Sequence, residues 1–191
     1  KLLKEEDFFE GEPPAPFEAV GWMSRYIEKI SRIYATKTHS PMSVITLRPS
    51  AVYGKYDDFN YDTCHALPAI LRRVVEEKFP IEIWGSGNDK RDWLYVDDLV
   101  VACIKCLNKL QGYVCLNIGS SRAYNLKEVL EFIFKIQKIN DNKIKHIKSD
   151  NRPLSRSFDC SKSHDYLGNY SKTDLSTGIK HTINWYKKSQ L

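Results

Sequence analysis

Along this chain, apolar residues at helical spacing alternate with short β-branched runs, and the connections between them are brief. That alternation most constrains the fold, because it asks for helices layered on strands, an α/β architecture. Met23, Tyr26, Ile27, Ile30, Ile33 and Tyr34 mark one face of a helix running to about Lys37. Ser43–Leu47 is a β-branched run closed by Arg48-Pro49. Leu67, Ile70, Leu71, Val74 and Val75 set a second helix, and Ile81–Trp84 a strand ending at the turn Gly85-Ser86-Gly87. Asp97 or Asp98 is placed to cap the next helix, and Tyr113–Ile118 is the strand after it. Asn125 with Glu128 three residues on is a capping-box start for a helix through Lys138. Lys143–Lys148 alternates as a strand, and Ile179, Ile183 and Tyr186 lie on a final helix.

A chain of 191 residues holds one full domain, or one and a part. It begins at Lys1 rather than Met, which leaves a processed product, a trimmed piece or part of something longer all open. The start is too acidic for a signal peptide, and no apolar run is long enough to span a bilayer, so no membrane partner is expected. The net charge of +5 is scattered. Its densest stretch interleaves Lys143, Lys145 and Lys148 with Ile144 and Ile147, which reads first as a half-buried strand with a solvated face. No aromatic-interleaved basic stripe accompanies it, which argues against a nucleic-acid partner.

Five cysteines without a secretory signal imply free thiols in a reducing, cytoplasmic setting. Cys103 and Cys106 form a CxxC, but they fall within Leu99, Ala102, Cys103, Cys106, Leu107 and Leu110, a helical stripe expected to be buried. No second CxxC or His pair completes a metal site, so no metal is expected. Nor does any strand lead through a Gly-rich phosphate loop into a helix, so these residues bring no dinucleotide cradle of their own.

Three segments carry candidate chemistry. In Tyr53-Gly54 through Arg73, which contains Asp57-Asp58-Phe59 and Cys64-His65-Ala66-Leu67-Pro68, His65 stands just ahead of a helix, where backbone donors favour anions and an imidazole would serve as acid or base. A structural histidine is the bland alternative. In Ile83 through Leu99, the tight turn Gly85-Ser86-Gly87 lets backbone approach a ligand and Arg91 after it grips phosphate, unless the segment is an ordinary hairpin with a surface Arg. Arg152-Pro153 to Arg156 offers two more guanidinium groups in a polar or merely solvated loop.

Taken together, these segments resemble the extended short-chain dehydrogenase/reductases, the NAD(P)-dependent epimerases, dehydratases and reductases of nucleotide sugars. The likeness runs from Leu47-Arg48-Pro49-Ser50-Ala51-Val52-Tyr53-Gly54 to Trp185-Tyr186, with Asn117-Ile118-Gly119 and Leu167-Gly168 in order. Within the family, Cys64 to Arg73 looks most like the GDP-L-fucose synthase group. The resemblance implies the C-terminal part of a Rossmann-type parallel sheet plus a small α/β substrate domain. Residues 1–62 would be the distal helix and strand of the first and 63–191 mainly the second, with 92–110 returning to the sheet. It implies an NAD or NADP cofactor and a nucleotide-sugar substrate. His65 would be the acid; Arg72, Arg73, Trp84, Arg91 and Arg152 would hold the substrate; Pro49 and Val52, with Arg48, would approach the nicotinamide.

The family reaction uses a Tyr and a Lys four residues apart. Aligned on Gly21-Trp22-Met23, this chain has Val20 and Ser24 there. Val has no proton to give and Ser no positive charge. Two readings therefore stay open: the catalytically incomplete substrate-binding portion of such an enzyme, or a non-catalytic nucleotide-sugar-binding or partner-subunit module. An α/β sheet without its inner strands exposes an apolar edge, so self-association or association with an N-terminal half is expected. The resemblance further implies subunits paired through helices, the Met23–Lys37 helix among them.

Overall fold

A computed structural model describes residues 2–140, 143–148 and 157–189. Its helices are α1 (Glu18–Thr36), α2 (Ala66–Val75), α3 (Val96–Lys109), α4 (Leu126–Gln137), α5 (Ser161–Leu167) and α6 (Leu175–Ser189). Its strands are β1 (Val44–Pro49), β2 (Ala51–Tyr53), β3 (Ile81–Trp84), β4 (Lys90–Tyr95), β5 (Tyr113–Ile118), β6 (Ala123–Asn125) and β7 (Ile144–Ile147). The mixed α/β class expected from the sequence is the one observed.

The strands form three small sheets. β1 pairs with β5 in parallel from Val44↔Tyr113 to Pro49↔Ile118, so the ladder runs two residues past Leu47. Pro49 is tolerated as the last residue of its strand, where the missing N–H costs least. β2 and β4 are parallel, Ala51↔Trp93 to Tyr53↔Tyr95, and β6 joins β4 antiparallel. β3 pairs in parallel with β7, Ile81↔Ile144 to Trp84↔Ile147. The hairpin alternative for Gly85-Ser86-Gly87 is thereby corrected. Both glycines take positive φ, 73° and 71°, and the turn sends the chain from one sheet into another.

Two apolar cores hold these layers. One gathers Leu67 and Leu71 of α2, Ile81 and Ile83 of β3, Leu130 and Phe134 of α4, and Ile179 and Ile183 of α6. The other gathers Leu94, Ala102, Cys106, Leu116, Ile118, Leu167 and Tyr170, with Ile45 and Leu47 against them. The capping box forms as expected: Glu128 N donates to Asn125 Oδ1 at 2.9 Å and Asn125 N donates to Glu128 Oε2 at 2.7 Å.

Two local expectations fail for definable reasons. Neither Asp97 nor Asp98 caps α3. β4 runs directly into the helix, so Tyr95 occupies the cap and both aspartates fall in the first turn, where they still oppose the helix dipole favourably. Asp98 is buried and accepts from Thr173 N at 3.0 Å and Thr173 Oγ1 at 3.1 Å. The stripe on α3 is also narrower than its spacing suggests, since Ala102 and Cys106 are buried, Cys103 is half-buried and Leu107 is 83% exposed.

α1 is turned the opposite way from most amphipathic helices. Val20, Met23, Tyr26, Ile27, Ile33 and Tyr34 are exposed, while Glu28 is buried. Glu28 accepts from Arg48 Nε at 3.0 Å and from Arg48 Nη2 and Tyr113 Oη, tying the helix to β1 and β5 through charge. Arg25 fixes the segment ahead of α1, donating to the carbonyls of Phe8, Glu10 and Gly11 at 2.6–2.9 Å.

Candidate functional site

Beside β2 and β4 lies a cleft of about 800 Å³. The two short strands bring Ala51, Val52 and Trp93 to it, and the chain just before β2 adds Pro49 and Ser50. Gly54 permits the turn out of β2 at a positive φ of 150°, and a Cβ there would meet the side chain of Val96. The turn delivers Lys55, Tyr56 and Asp57 to the cleft, which Arg91 at the start of β4 also lines. Phe17 and Phe158 complete its apolar wall.

His65 occupies the N-cap of α2 with extended backbone and does not use its side chain to cap the helix. It is exposed and lines the cleft together with Asp57. Burial pushes the Asp57 carboxyl above its ordinary value, against the opposing pull of the Asp58 amide and the charge of His65. Lys55 pairs with Asp97 at 3.0 Å at the rim. Arg91 is exposed, with no ion-pair partner among the described residues.

Asp92, next to Arg91, is the buried anchor of the site. Its Oδ1 accepts from Ser120 N at 2.8 Å, Ser120 Oγ at 2.7 Å and Ser50 Oγ at 3.3 Å, and its Oδ2 accepts from Ser121 N at 3.1 Å. A Cβ at Gly119 would sit 2.5 Å from Asp92 Oδ2 and 3.0 Å from Cys160 Sγ, which is why Asn117-Ile118 is followed by glycine. Burial, with the Asp92 charge adding to it, pushes the Cys160 thiol up to about 11, so it stays protonated at neutral pH.

Of the residues singled out in the sequence, the structure brings Pro49, Val52, His65 and Arg91 to one cleft. Arg72 lies outside its lining. Its Nε donates to Glu76 at 2.7 Å, its Nη1 to the Phe59 carbonyl at 2.7 Å, and its guanidinium covers the Tyr61 ring. Arg73 stands over the same ring at 5.5 Å. Trp84 ends β3, and Arg152 lies outside the described residues. Gly85 and Gly87 are engaged with Ile147 and with the start of α4 rather than with the cleft. Arg48, held by Glu28 and by the Glu5 carbonyl at 2.7 Å, lies outside the cleft lining that its neighbour Pro49 joins. Lys55, Tyr56, Asp57 and Asp92 lie inside the segments singled out in the sequence, but no role was read for them there. The cue for the first three was a glycine ending a β-branched run followed by charges, Tyr53-Gly54-Lys55-Tyr56-Asp57.

The model of the NAD dependent epimerase/dehydratase family matches residues 3–119. This chain belongs to that family. GDP-L-fucose synthase 1 of Arabidopsis thaliana is 31% identical over 169 residues, covering 85% of this chain and 51% of the relative. GDP-L-colitose synthase of Yersinia pseudotuberculosis is 27% identical, covering 80% and 51%. The chain thus spans about half the length of these curated relatives. Among solved structures, the GDP-mannoheptose C4 reductase of Campylobacter jejuni with NADP bound superposes with a TM-score of 0.81 at 25% identity, over 97% of this chain and 64% of that one. The UDP-glucose 4-epimerase of Thermotoga maritima with UDP-glucose shares the fold at a TM-score of 0.78 and 24% identity, over 94% and 56%. Among the described residues no helix is long and apolar enough to cross a membrane.

Proposed function

We propose that this chain is the C-terminal, substrate-binding portion of an NAD(P)-dependent nucleotide-sugar epimerase, dehydratase or reductase, with a GDP-sugar as the first candidate ligand. The observation that carries the reading is the convergence of Pro49, Val52, His65 and Arg91 on one cleft. In it Arg91 grips the diphosphate, His65 and Asp57 face the sugar hydroxyls, and Pro49 and Val52 give a flat apolar wall on the nicotinamide side. The two apolar cores support a division in which β1 and α3 belong to the Rossmann-type part and α2, α4 and α6 to the substrate part.

A nicotinamide cofactor supplies hydride chemistry when bound, but the residues present do not complete a relay for it. Val20, 59% exposed, and Ser24 stand where a proton donor and a cation are needed, and neither lines the cleft. No hydride step is therefore derived for this chain. Those two residues favour a second reading, a binding or partner-subunit module that holds the sugar nucleotide without turning it over. The exposed apolar face of α1 supports association with a second copy or with a Gly-rich half. The five unpaired cysteines support a reducing, cytoplasmic setting.

Calorimetric titration with GDP-L-fucose, UDP-glucose and dTDP-glucose tests the first reading. Saturable binding to at least one, weakened in Arg91→Ala, is expected. No binding to any of them overturns it. Between the two readings, reduction of added NAD or NADP by a bound nucleotide sugar, with a Gly-rich half supplied, sinks the module.

A further inference from the structure

We infer that Tyr56 is the stacking surface for the sugar ring of the bound nucleotide sugar, a specificity-determining contact at the end of the cleft away from Arg91. The inference rests on the nucleotide-sugar reading above.

Three observations converge on this residue. Its backbone is left-handed, φ 65°, a conformation that a bulky side chain adopts at a cost and that concentrates at ligand-holding sites. Its ring is 84% exposed although it lines the cleft, so the strain does not serve to bury it. The ring is nonetheless held, 5.1 Å from Trp185 at a 59° tilt, and Trp185 leads through Phe59 to the stacked, buried Tyr186. A phenol braced from behind and open on the cleft side is a platform.

Register places it along the cleft. Ala51 pairs with Trp93, so Arg91 lies level with Pro49, while Tyr56 stands three residues beyond the end of β2. The four residue steps from Pro49 to Tyr53 cover about 13 Å of extended chain. Tyr56 follows that span, beyond the diphosphate grip along the chain and beside Asp57, whose carboxyl feels the charge of His65. An aromatic face next to a carboxylate and an imidazole suits a pyranose, whose C–H face stacks while its hydroxyls hydrogen-bond.

The test compares Tyr56→Asn and Tyr56→Phe with wild type in the intact protein, titrated with GDP-L-fucose and with GDP. Asn tolerates the left-handed backbone, so the midpoint of thermal unfolding should stay close to wild type. The expected result is GDP-L-fucose binding about tenfold weaker in Tyr56→Asn, GDP binding unchanged, and Tyr56→Phe near wild type for both. Equal losses for GDP and GDP-L-fucose, or no loss for either, overturn the inference while leaving the nucleotide-sugar reading standing. Where the wild type binds UDP-glucose or dTDP-glucose instead, the same comparison is made with that sugar nucleotide and its nucleoside diphosphate, and failure to bind any of the three overturns both readings. Should Tyr56→Asn not fold, the ring resonances of Tyr56 in labelled wild type decide. A shift with GDP-L-fucose beyond that with GDP supports the contact, and identical shifts sink it.

Discussion

The hydroxyl of Tyr53 occupies the space that a Cβ on Gly178 would need, with Tyr53 Cζ 2.9 Å and Tyr95 Cδ2 3.1 Å from the same point. Strand β2 and helix α6 therefore meet backbone to phenol, and Tyr53 donates to the Leu175 carbonyl across the contact. Alanine in a helix is ordinarily the better residue by about 1 kcal/mol. Here Gly178→Ala should instead destabilise by about 2–3 kcal/mol, because Tyr53 and Tyr95 are both buried and have nowhere to go. Adding Tyr53→Phe should recover part of that loss and not all, since the ring carbon remains too close. Urea unfolding of the single and double variants measures both.

Glu76 ends α2 and ties three elements together. Burial alone would raise its carboxyl, but hydrogen bonds from Lys78, Arg72 and Tyr186, with the charge of Arg72, overcome this and bring it down to about 2. The unfolded carboxyl titrates near 4.5, so folding is favoured fully above that value and loses the contribution as pH falls toward 2. The midpoint of urea unfolding should drop between about pH 5 and pH 2, and Glu76→Gln should flatten that part of the curve. An unchanged acid limb in the variant would assign the loss to other carboxylates.

What was legible in the sequence divides by how local its cause is. The Asn125–Glu128 capping box lies within four residues, and it formed as read. The helices α2 and α6 follow from stripes that meet in one core with β3, β4 and α4. The outward turn of α1 was implied only by the resemblance, which offered this helix as a pairing surface, because periodicity reports that a helix has an apolar face and not which way it points. Its inward face is set by Glu28 meeting Arg48, 20 residues away. Strands β2, β4 and β6 escaped because two have only three residues and β4 opens on Lys90-Arg91-Asp92. The burial of Asp92 arises only when β2, β4 and β6 come together and Ser50 and Ser120 close over it. His65, Arg91, Pro49 and Val52 could be singled out from ordered motifs, whereas Tyr56 and Asp57 reach the same cleft only by the turn at Gly54.

The buried Glu28–Arg48 pair yields a coupling prediction. Each partner is nearly excluded from solvent, 6% and 12% exposed at the side chain, so removing one strands the other. Glu28→Ala and Arg48→Ala should each cost on the order of 3 kcal/mol, and the double variant clearly less than their sum. Arg48 also covers the Phe8 ring and binds the Glu5 carbonyl, so its loss should additionally loosen the segment ahead of α1. Faster amide exchange from Phe8 to Gly11 in Arg48→Ala than in Glu28→Ala would register that difference.

Arg91 and Arg72 make the sharpest contrast between binding and stability. Both are arginines of the sort that hold phosphate, but Arg72 spends its donors on Glu76 and Phe59 while Arg91 reaches the cleft with no ion-pair partner among the described residues. Arg91→Ala should weaken nucleotide-diphosphate binding about 10- to 100-fold, the scale of one lost charge-assisted contact, with little change in thermal stability. Arg72→Ala should do the reverse, lowering stability by about 1–2 kcal/mol with affinity nearly intact. Binding through Arg91 should also weaken as salt rises, because an exposed charge pair is screened. Were Arg72→Ala to cost affinity and Arg91→Ala only stability, the anion site would have to be moved from the start of β4 to the end of α2, and the orientation assigned to the ligand would reverse with it.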